Sequence, residues 1–218
     1  MPGTFNGTTL TISATPVDHA LIPDEGATNV AGIAIVGSDM YCVKTTGLKT
    51  TLLKTTDYMA TKATAVKKDL NWFALGLTKI GNYLYMLAED HKGYGGSTTI
   101  VKLDTKGNQL GTYSINEICP KGALGITAAD GTNEKFIIMH YADKSNAGTL
   151  TFSVVDWKAA KAASTFTVTN SGFGYTTQLQ DIYYHTSFGL FILTNNTFST
   201  LQNLSLIHIS EPTRRSYI

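Results

Sequence analysis

The chain has 218 residues, of which 17 are basic and 16 acidic, and its formal net charge is +1 at pH 7. Charged residues make up only 15% of it, against about 25% in ordinary globular domains. Its only arginines are Arg214 and Arg215, so the rest lacks the guanidinium groups that bind phosphate and guanine in bidentate fashion. We therefore expect no nucleic-acid partner and, because no apolar run approaches the ~18–20 residues of a membrane helix, no membrane span.

The first 24 residues contain one segment, Thr8–Ser13, in which apolar and polar residues alternate. Alternation of this kind predicts a strand. We interpret it as the outer strand of a unit that precedes the first full repeat.

The first repeat opens with two strands predicted over Ile33–Val36 and Met40–Lys44, which flank a Gly-Ser-Asp turn. Two outer strands are predicted over Thr50–Thr55 and Thr61–Lys67. Short apolar segments separated by tight turns are typical of an antiparallel sheet.

The second repeat has the clearest pattern. The pair Gly81-Asn82 between two apolar segments predicts a two-residue hairpin turn, and a glycine-rich loop follows the second segment. Four strands are predicted here, over Gly76–Ile80, Tyr83–Ala88, Thr98–Leu103 and Gln109–Ile115.

The third repeat has the same order of segments. Its Ala- and Lys-rich stretch Trp157–Ala163 favours a helical turn before the last strand. Four strands are predicted, over Gly125–Ala128, Lys135–Tyr141, Thr149–Asp156 and Thr165–Thr169.

The fourth repeat has strands predicted over Ile182–His185, Gly189–Thr194 and Phe198–Leu201. From about residue 204 the sequence resembles the translation of a common sequencing adapter, and we interpret 204–218 as a non-native tail. Without this tail the chain carries 15 lysines and 15 acidic residues, which leaves no formal net charge.

One motif recurs in the four repeats, a glycine followed by Ile or Leu. In the first three repeats the glycine is Gly32, Gly76 and Gly125, and in the fourth repeat Asp181 replaces it. Successive positions of this motif lie 44, 49 and 56 residues apart. A period of about 40–50 residues with several short strands per unit is typical of β-propeller blades. The sequence therefore predicts an all-β fold, a partial β-propeller of four-stranded antiparallel blades, in which residues 1–203 form a single propeller fragment.

The recurring glycine also predicts how the blades stack. The first strand of a blade lies nearest the central axis, where glycine permits close backbone approach and the following Ile or Leu packs between blades. A blade cannot bury both of its faces alone. About three and a half blades therefore leave two open flanks, whose apolar surface favours association.

The hairpin Ile100–Leu110 resembles the outer-strand hairpin of bacterial β-propellers, in which an apolar strand ends in Asp, turns through Gly and resumes with an apolar residue. Val154–Trp157 stands in the matching place of the third repeat without the glycine. This resemblance implies the fold and a bacterial source, and it implies no substrate.

No metal or cofactor is predicted. Cys42 and Cys119 lie in different repeats and are expected to be free thiols. Neighbouring residues at a strand end, such as Glu89, Asp90 and His91, point in opposite directions and are poorly placed to share a metal. The loop Gly93–Gly96 lacks the lysine and the following helix of a phosphate-binding loop.

In a propeller, the loops between second and third strands and the connections between blades gather at one end of the channel, which we call the funnel face. Acidic, amide, imidazole and aromatic groups there are candidates to bind a sugar or a peptide, although solvated loop residues give the same pattern. Trp72 is either a stacking platform for a sugar ring or a residue packed between blades. The candidate ligand-binding residues are Asp69, Trp72, Glu89, Asp90, His91, Tyr94, Tyr141, Asp143, Tyr175 and Gln178.

Three functional hypotheses remain from the sequence. The first is a non-catalytic binding or scaffold propeller that recognises a glycan or a protein through the funnel face. The second is a propeller-type hydrolase or lyase with acidic residues in the channel, and the third is a structural repeat of a larger surface protein. The Thr-, Ser-, Asn- and Gly-rich composition favours an extracellular or cell-surface location, while the oligomeric state is not predicted.

Overall fold

The structure is a computed structural model that describes residues 3–5, 10–12, 29–56, 63–90, 97–129, 134–141, 149–157, 162–169, 177–186, 189–196 and 205–207. Across these ranges every regular element is a strand. The part of the chain described in this way contains no apolar helix of membrane-spanning length.

The strands form one small sheet and four larger ones, and every neighbouring pair is antiparallel. The small sheet joins β1 (Gly3–Phe5) to β2 (Leu10–Ile12). The first large sheet, blade 1, consists of β3 (Asn29–Val36), β4 (Asp39–Thr46), β5 (Lys49–Thr55) and β6 (Thr64–Leu70).

Blade 2 consists of β7 (Phe73–Ile80), β8 (Tyr83–Glu89), β9 (Thr98–Leu103) and β10 (Gln109–Ser114). Its strands follow one another in space as they do in sequence. This order is the up-and-down arrangement that short turns between antiparallel strands produce.

Blade 3 repeats this order with β11 (Ala123–Ala128), β12 (Lys135–Tyr141), β13 (Thr149–Asp156) and β14 (Ala162–Thr169). Blade 4 shows three described strands, β15 (Thr177–His185), β16 (Gly189–Asn196) and β17 (Ser205–Ile207).

The first strands of the blades stand side by side: β3 contacts β7, β7 contacts β11, and β11 contacts β15. A hydrophobic cluster fills the space between each pair of neighbouring blades. There are three such clusters among the described residues. The cluster between blades 1 and 2 includes Val43, Leu77 and Met86. The cluster between blades 2 and 3 includes Tyr85, Ile126 and Phe136, and the cluster between blades 3 and 4 includes Met139, Phe152 and Ile182. Four-stranded sheets stacked around their inner strands make the chain a partial β-propeller, which confirms the predicted fold class.

The hairpin that carried the family resemblance joins two blades. Asp104 accepts hydrogen bonds at Oδ1 from the backbone N–H groups of Lys106 (2.9 Å) and Asn108 (2.8 Å), which fixes the turn. Gly107 has φ +77°, and a Cβ atom there would lie 2.4 Å from Cβ of Lys67 in β6. The glycine of this hairpin is therefore required by contact with blade 1 as well as by the turn.

The inner strands begin two to five residues earlier than predicted, at Asn29, Phe73, Ala123 and Thr177. The sequence-based prediction started each strand near the repeated glycine. In the structure that position lies inside the strand. In all four blades the pairing of the first strand with the second shifts its register there. A β-bulge at this place adds a residue without ending the strand.

The helical turn predicted over Trp157–Ala163 is wrong at its end, because Ala162 and Ala163 belong to β14. Cross-strand pairing with β13 therefore outweighs the helical preference of alanine there. The strand predicted over Phe198–Leu201 lies outside the described residues, and the third strand of blade 4 comes from the segment interpreted as a non-native tail.

Candidate functional site

Contact between inner strands depends on the repeated glycines. A Cβ atom on Gly32 would lie only 2.0 Å from the backbone nitrogen of Leu77. No side chain fits at this position. On Gly76 it would lie 3.1 Å from Cγ2 of Ile126, and on Gly125 it would lie 3.2 Å from the Cα of Asp181. The prediction that glycine allows neighbouring blades to approach closely is therefore confirmed.

A repeated hydrogen bond reinforces this stacking in the later blades. The N–H of Ala128 in blade 3 donates to Oγ1 of Thr78 in blade 2 at 3.2 Å, and the N–H of Tyr184 in blade 4 donates to Oγ1 of Thr127 in blade 3 at 3.0 Å. Both threonines stand two residues after the repeated glycine. Blade 1 has Ala34 at this position, which has no hydroxyl group to accept such a bond.

Blade 2 is instead fastened to blade 1 nearer the start of its inner strand. The N–H of Ala74 lies 3.3 Å from the hydroxyl oxygens of both Thr45 and Thr50. Thr50 also donates to the carbonyl oxygen of Trp72 at 2.7 Å. These threonines are buried, and their bonds hold the connection between the two blades at the funnel face.

Asp181 occupies the glycine position of blade 4, and its carboxyl group lies beside the inner strands of blades 2 and 3. The carboxyl group accepts backbone N–H bonds from Ile126 and, at 2.9 Å, from Ile182. Its Oδ1 would lie 3.5 Å from a Cβ atom on Gly76 two blades away. Burial raises the pKa of this carboxyl to about 7, although the two backbone hydrogen bonds oppose that shift.

Sequence reasoning did not select Asp181 as a site residue. The available signal was the break in the repeat, since one of four equivalent positions carries an acid where the others carry glycine. An acidic residue in a position that elsewhere demands the smallest residue indicates that its side chain has a specific environment.

Glu89 and Asp90, two predicted site residues, lie at the funnel-face end of β8 and have different roles. Glu89 is 1% exposed, and its Oε1 would lie 3.4 Å from a Cβ atom on Gly122. Asp90 closes the neck of the loop of residues 91–96, because its N–H donates to the carbonyl of Ser97 and its Oδ1 accepts from the N–H of Ser97, both at 3.2 Å.

Asp69 and Trp72 lie at the same end, where blade 1 passes into blade 2. Asp69 has φ +59°, its side chain is 72% exposed, and it lies 3.9 Å from Nζ of Lys49. Trp72 packs against the cluster between blades 1 and 2, and its Nε1–H donates to Oε1 of Gln109 at 3.1 Å. Packing between blades, the second of the two interpretations of Trp72, therefore describes its position.

The other predicted site residues are not placed by the structure. His91, Tyr94, Asp143 and Tyr175 lie outside the described residues. Tyr141 and Gln178 are described only as backbone positions in β12 and β15. The described ranges contain no group of three or more His, Cys, Asp or Glu side chains arranged to hold a metal ion.

The prediction that the two cysteines are free thiols is confirmed. Cys42 and Cys119 are buried free thiols, and burial raises their pKa values to about 11 and about 12. His140 is 5% exposed and shares a 2.9 Å hydrogen bond with Oγ of Ser153, so it is held inside blade 3.

Trp157 lies between blades 2 and 3. Its ring meets that of Tyr85 edge-on, with centroids 5.6 Å apart, and tilts against Tyr113 at 6.0 Å. The hydroxyl of Tyr85 and the ammonium group of Lys102 both bind the carboxylate of Glu134. Burial, with the help of Glu134, raises the pKa of Tyr85.

No protein-family model matches the chain, and no curated protein is similar to it in sequence. One similar solved structure is Kuenenia stuttgartiensis hydrazine synthase, with a TM-score of 0.48 and 12% identity; the match covers 79% of this chain and 46% of that one. Another is Myxococcus xanthus glutaminyl cyclase, with a TM-score of 0.49 and 12% identity; the match covers 76% of this chain and 67% of that one. A third is the β-propeller domain of Vanderwaltozyma polyspora Nup133, with a TM-score of 0.41 and 8% identity; the match covers 79% of this chain and 54% of that one. The chain thus spans about half the length of the first and the last.

Proposed function

We propose that the protein is a non-catalytic binding or scaffold propeller that recognises a protein or a glycan through its funnel face. The proposal places the binding residues on the loop of residues 91–96 and on the neighbouring connections between blades. Binding loops carried by a rigid sheet framework are a common arrangement. We also propose an extracellular or cell-surface location, which the charge-poor composition supports.

The observation that carries this proposal is the pair of hydrogen bonds that joins the residue after β8 to the residue before β9. Asp90 and Ser97 bind each other through two hydrogen bonds, both 3.2 Å long. The adjacent N–H of Ile115 donates to the carbonyl oxygen of Thr98 at 2.9 Å, which ties the connection after β10 to the same place. His91 and Tyr94 belong to the segment that begins after Asp90 and ends before Ser97, and histidine and tyrosine side chains suit recognition of sugars and peptides.

Asp181 favours a second candidate, a hydrolase or lyase with its acid in the channel. A carboxyl group with a pKa of about 7 is suited to general acid–base catalysis at neutral pH. Such a mechanism requires a second acid or a histidine within reach of the same substrate atom. Backbone N–H groups of Ile126 and Ile182 already hold the carboxyl group of Asp181, so catalysis has less support than binding.

A glycan and peptide array probed with the 218-residue protein tests the binding proposal. We expect binding to at least one class of probe, and we expect His91→Ala with Tyr94→Ala to weaken it at least tenfold. Asn82→Ala is the matched control, because Asn82 lies in an exposed hairpin turn at the opposite end of blade 2. Absence of binding to every probe, or equal loss in both variants, would contradict the proposal and favour a purely structural repeat of a larger surface protein.

A further inference from the structure

The repeated glycine position holds an acid in one blade only. The residues at this position are Gly32, Gly76 and Gly125 in blades 1, 2 and 3, and Asp181 in blade 4. A Cβ atom on any of the three glycines would lie within 3.2 Å of an atom of the next inner strand. Blade 4 therefore brings a carboxyl group to a place where the other three blades have backbone alone.

Two of these glycines leave the room that the carboxyl group of Asp181 occupies. Its Oδ1 would lie 3.2 Å from a Cβ atom on Gly125 and 3.5 Å from one on Gly76. The same oxygen accepts the N–H of Ile182 at 2.9 Å, and the carboxyl group also accepts the N–H of Ile126. One side chain of blade 4 thus contacts the inner strands of blades 2 and 3.

Among the described strands nearest to Asp181, no charged group balances its carboxylate. Strands β3, β11 and β16 contain no ionisable side chain, β7 contains Lys79, and β15 contains Tyr183, Tyr184 and His185 besides Asp181. None of these four groups contributes to the pKa shift of Asp181, which burial causes and the two backbone N–H groups oppose. The neutral acid is therefore favoured over the carboxylate at this place.

The same part of β15 holds blade 4 to blade 3. Ile182 packs with Met139 in the cluster between the two blades, and the N–H of Tyr184 donates to Oγ1 of Thr127 at 3.0 Å. Because Asp181 is the residue before Ile182, separation of the two blades would carry its carboxyl group away from blade 3 and into water. The state of this carboxyl group and the packing of blade 4 are therefore coupled.

We propose that Asp181 is a pH-sensitive switch at the junction of blades 3 and 4, which stay packed when its carboxyl group is protonated and separate more readily when it ionises. The neutral acid keeps its hydrogen bonds to both N–H groups and brings no charge into the junction. The carboxylate is hydrated better in water than between the inner strands, so ionisation favours the separated blades.

The direction and size of the effect follow from the pKa of Asp181 in the two states. It is about 7 when the blades are packed, and it returns towards the ordinary 3.8 when they separate. Between these values the packed state binds a proton that the separated state has released, so packing weakens as the pH rises. The equilibrium constant for packing should fall about tenfold between pH 6 and pH 8.

Amide hydrogen exchange of the 218-residue protein at pH 6 and pH 8 tests the proposal. The protection factor of the Tyr184 amide reports the junction of blades 3 and 4, and that of Ala128, whose N–H donates to Thr78, reports the junction of blades 2 and 3. We expect the protection of Tyr184 to fall about tenfold from pH 6 to pH 8. At pH 8 it should be at least tenfold below that of Ala128, because blades 2 and 3 remain packed.

Two variants identify the group that titrates. Asp181→Asn keeps an oxygen that accepts the two N–H groups but does not ionise, so the protection of Tyr184 should be equal at both pH values. His185→Gln is the matched control, because histidine also titrates near neutral pH and His185 lies on the same strand; this variant should keep the tenfold fall.

The proposal is overturned if the protection of Tyr184 in the unaltered protein is equal at pH 6 and pH 8. It is also overturned if Asp181→Asn retains the fall, or if His185→Gln abolishes it. Equal protection of Tyr184 and Ala128 at pH 8 would show that blade 4 does not separate by itself, which also contradicts the proposal.

Discussion

Gly32 and Leu77 are in direct backbone contact across two blades. The space where Gly32 would carry a Cβ atom is occupied by the backbone nitrogen of Leu77, 2.0 Å away. The same residue pair recurs as Gly76 with Ile126 and as Gly125 with Ile182. This contact between inner strands fixes how neighbouring blades stand beside each other.

Gly32→Ala should destabilise the protein far more than Gly37→Ala. The two glycines have nearly equal φ values, +63° and +62°, so the backbone strain of the substitution is matched. A Cβ atom on Gly37 meets nothing within 4 Å, whereas on Gly32 it meets Leu77. We expect a loss of about 1 kcal/mol for Gly37→Ala and of more than about 3 kcal/mol for Gly32→Ala, measured by urea unfolding. Equal losses would show that blades 1 and 2 are not in this contact.

Thr127→Val should weaken the junction of blades 3 and 4. The substitution keeps the shape of the side chain and removes the oxygen that accepts the N–H of Tyr184. A buried donor left without its acceptor costs about 1–3 kcal/mol. Because this bond is part-buried, we expect a loss near the lower end of that range, which the midpoint of urea unfolding would reveal. Thr112→Val is the control, because Thr112 is exposed on the outer strand β10. A midpoint unchanged in both variants would contradict the proposed hydrogen bond.

The stability of the protein should fall as the pH rises from about 4 to about 7. Asp181 has a pKa of about 7 when folded, against an ordinary value of 3.8, so between these values the folded chain holds a proton that the unfolded chain has released. Because ionisation stabilises only the unfolded chain in this range, the free energy of unfolding falls as the pH rises, by roughly 4 kcal/mol at most. Asp181→Asn should flatten this part of the pH profile.

Asp69→Asn is the matched control for this titration, because the Asp69 side chain is 72% exposed. Its pH profile between pH 4 and pH 7 should follow that of the unaltered protein. If Asp181→Asn also follows that profile, the carboxyl group of Asp181 is solvated and does not occupy the buried axial position.

The repeat of about 40–50 residues was enough to predict the fold, since each Gly-Ile or Gly-Leu pair marks an inner strand. The strand starts were less predictable, because nothing in the local sequence distinguishes a glycine at a bulge from one at a strand end. The helical turn around Trp157 was wrong because pairing of β14 with β13 is a tertiary effect that the alanine content does not report.

The candidate site was less predictable than the fold. Sequence placed Glu89 and Asp90 together at a strand end, but only the structure shows that one is buried and the other closes a loop. Asp181 was visible as the odd member of the repeat, yet its environment depends on Ile126 and Gly76, which are contributed by other blades.

The stacking of the blades around their inner strands can be measured directly through nuclear Overhauser effects between glycine α-protons and amide protons. We expect strong cross-peaks between Hα of Gly32 and the amide proton of Leu77, and between Hα of Gly125 and the amide proton of Ile182. If these are missing while the cross-strand peaks between β7 and β8 are present, the sheets exist but do not stack as propeller blades.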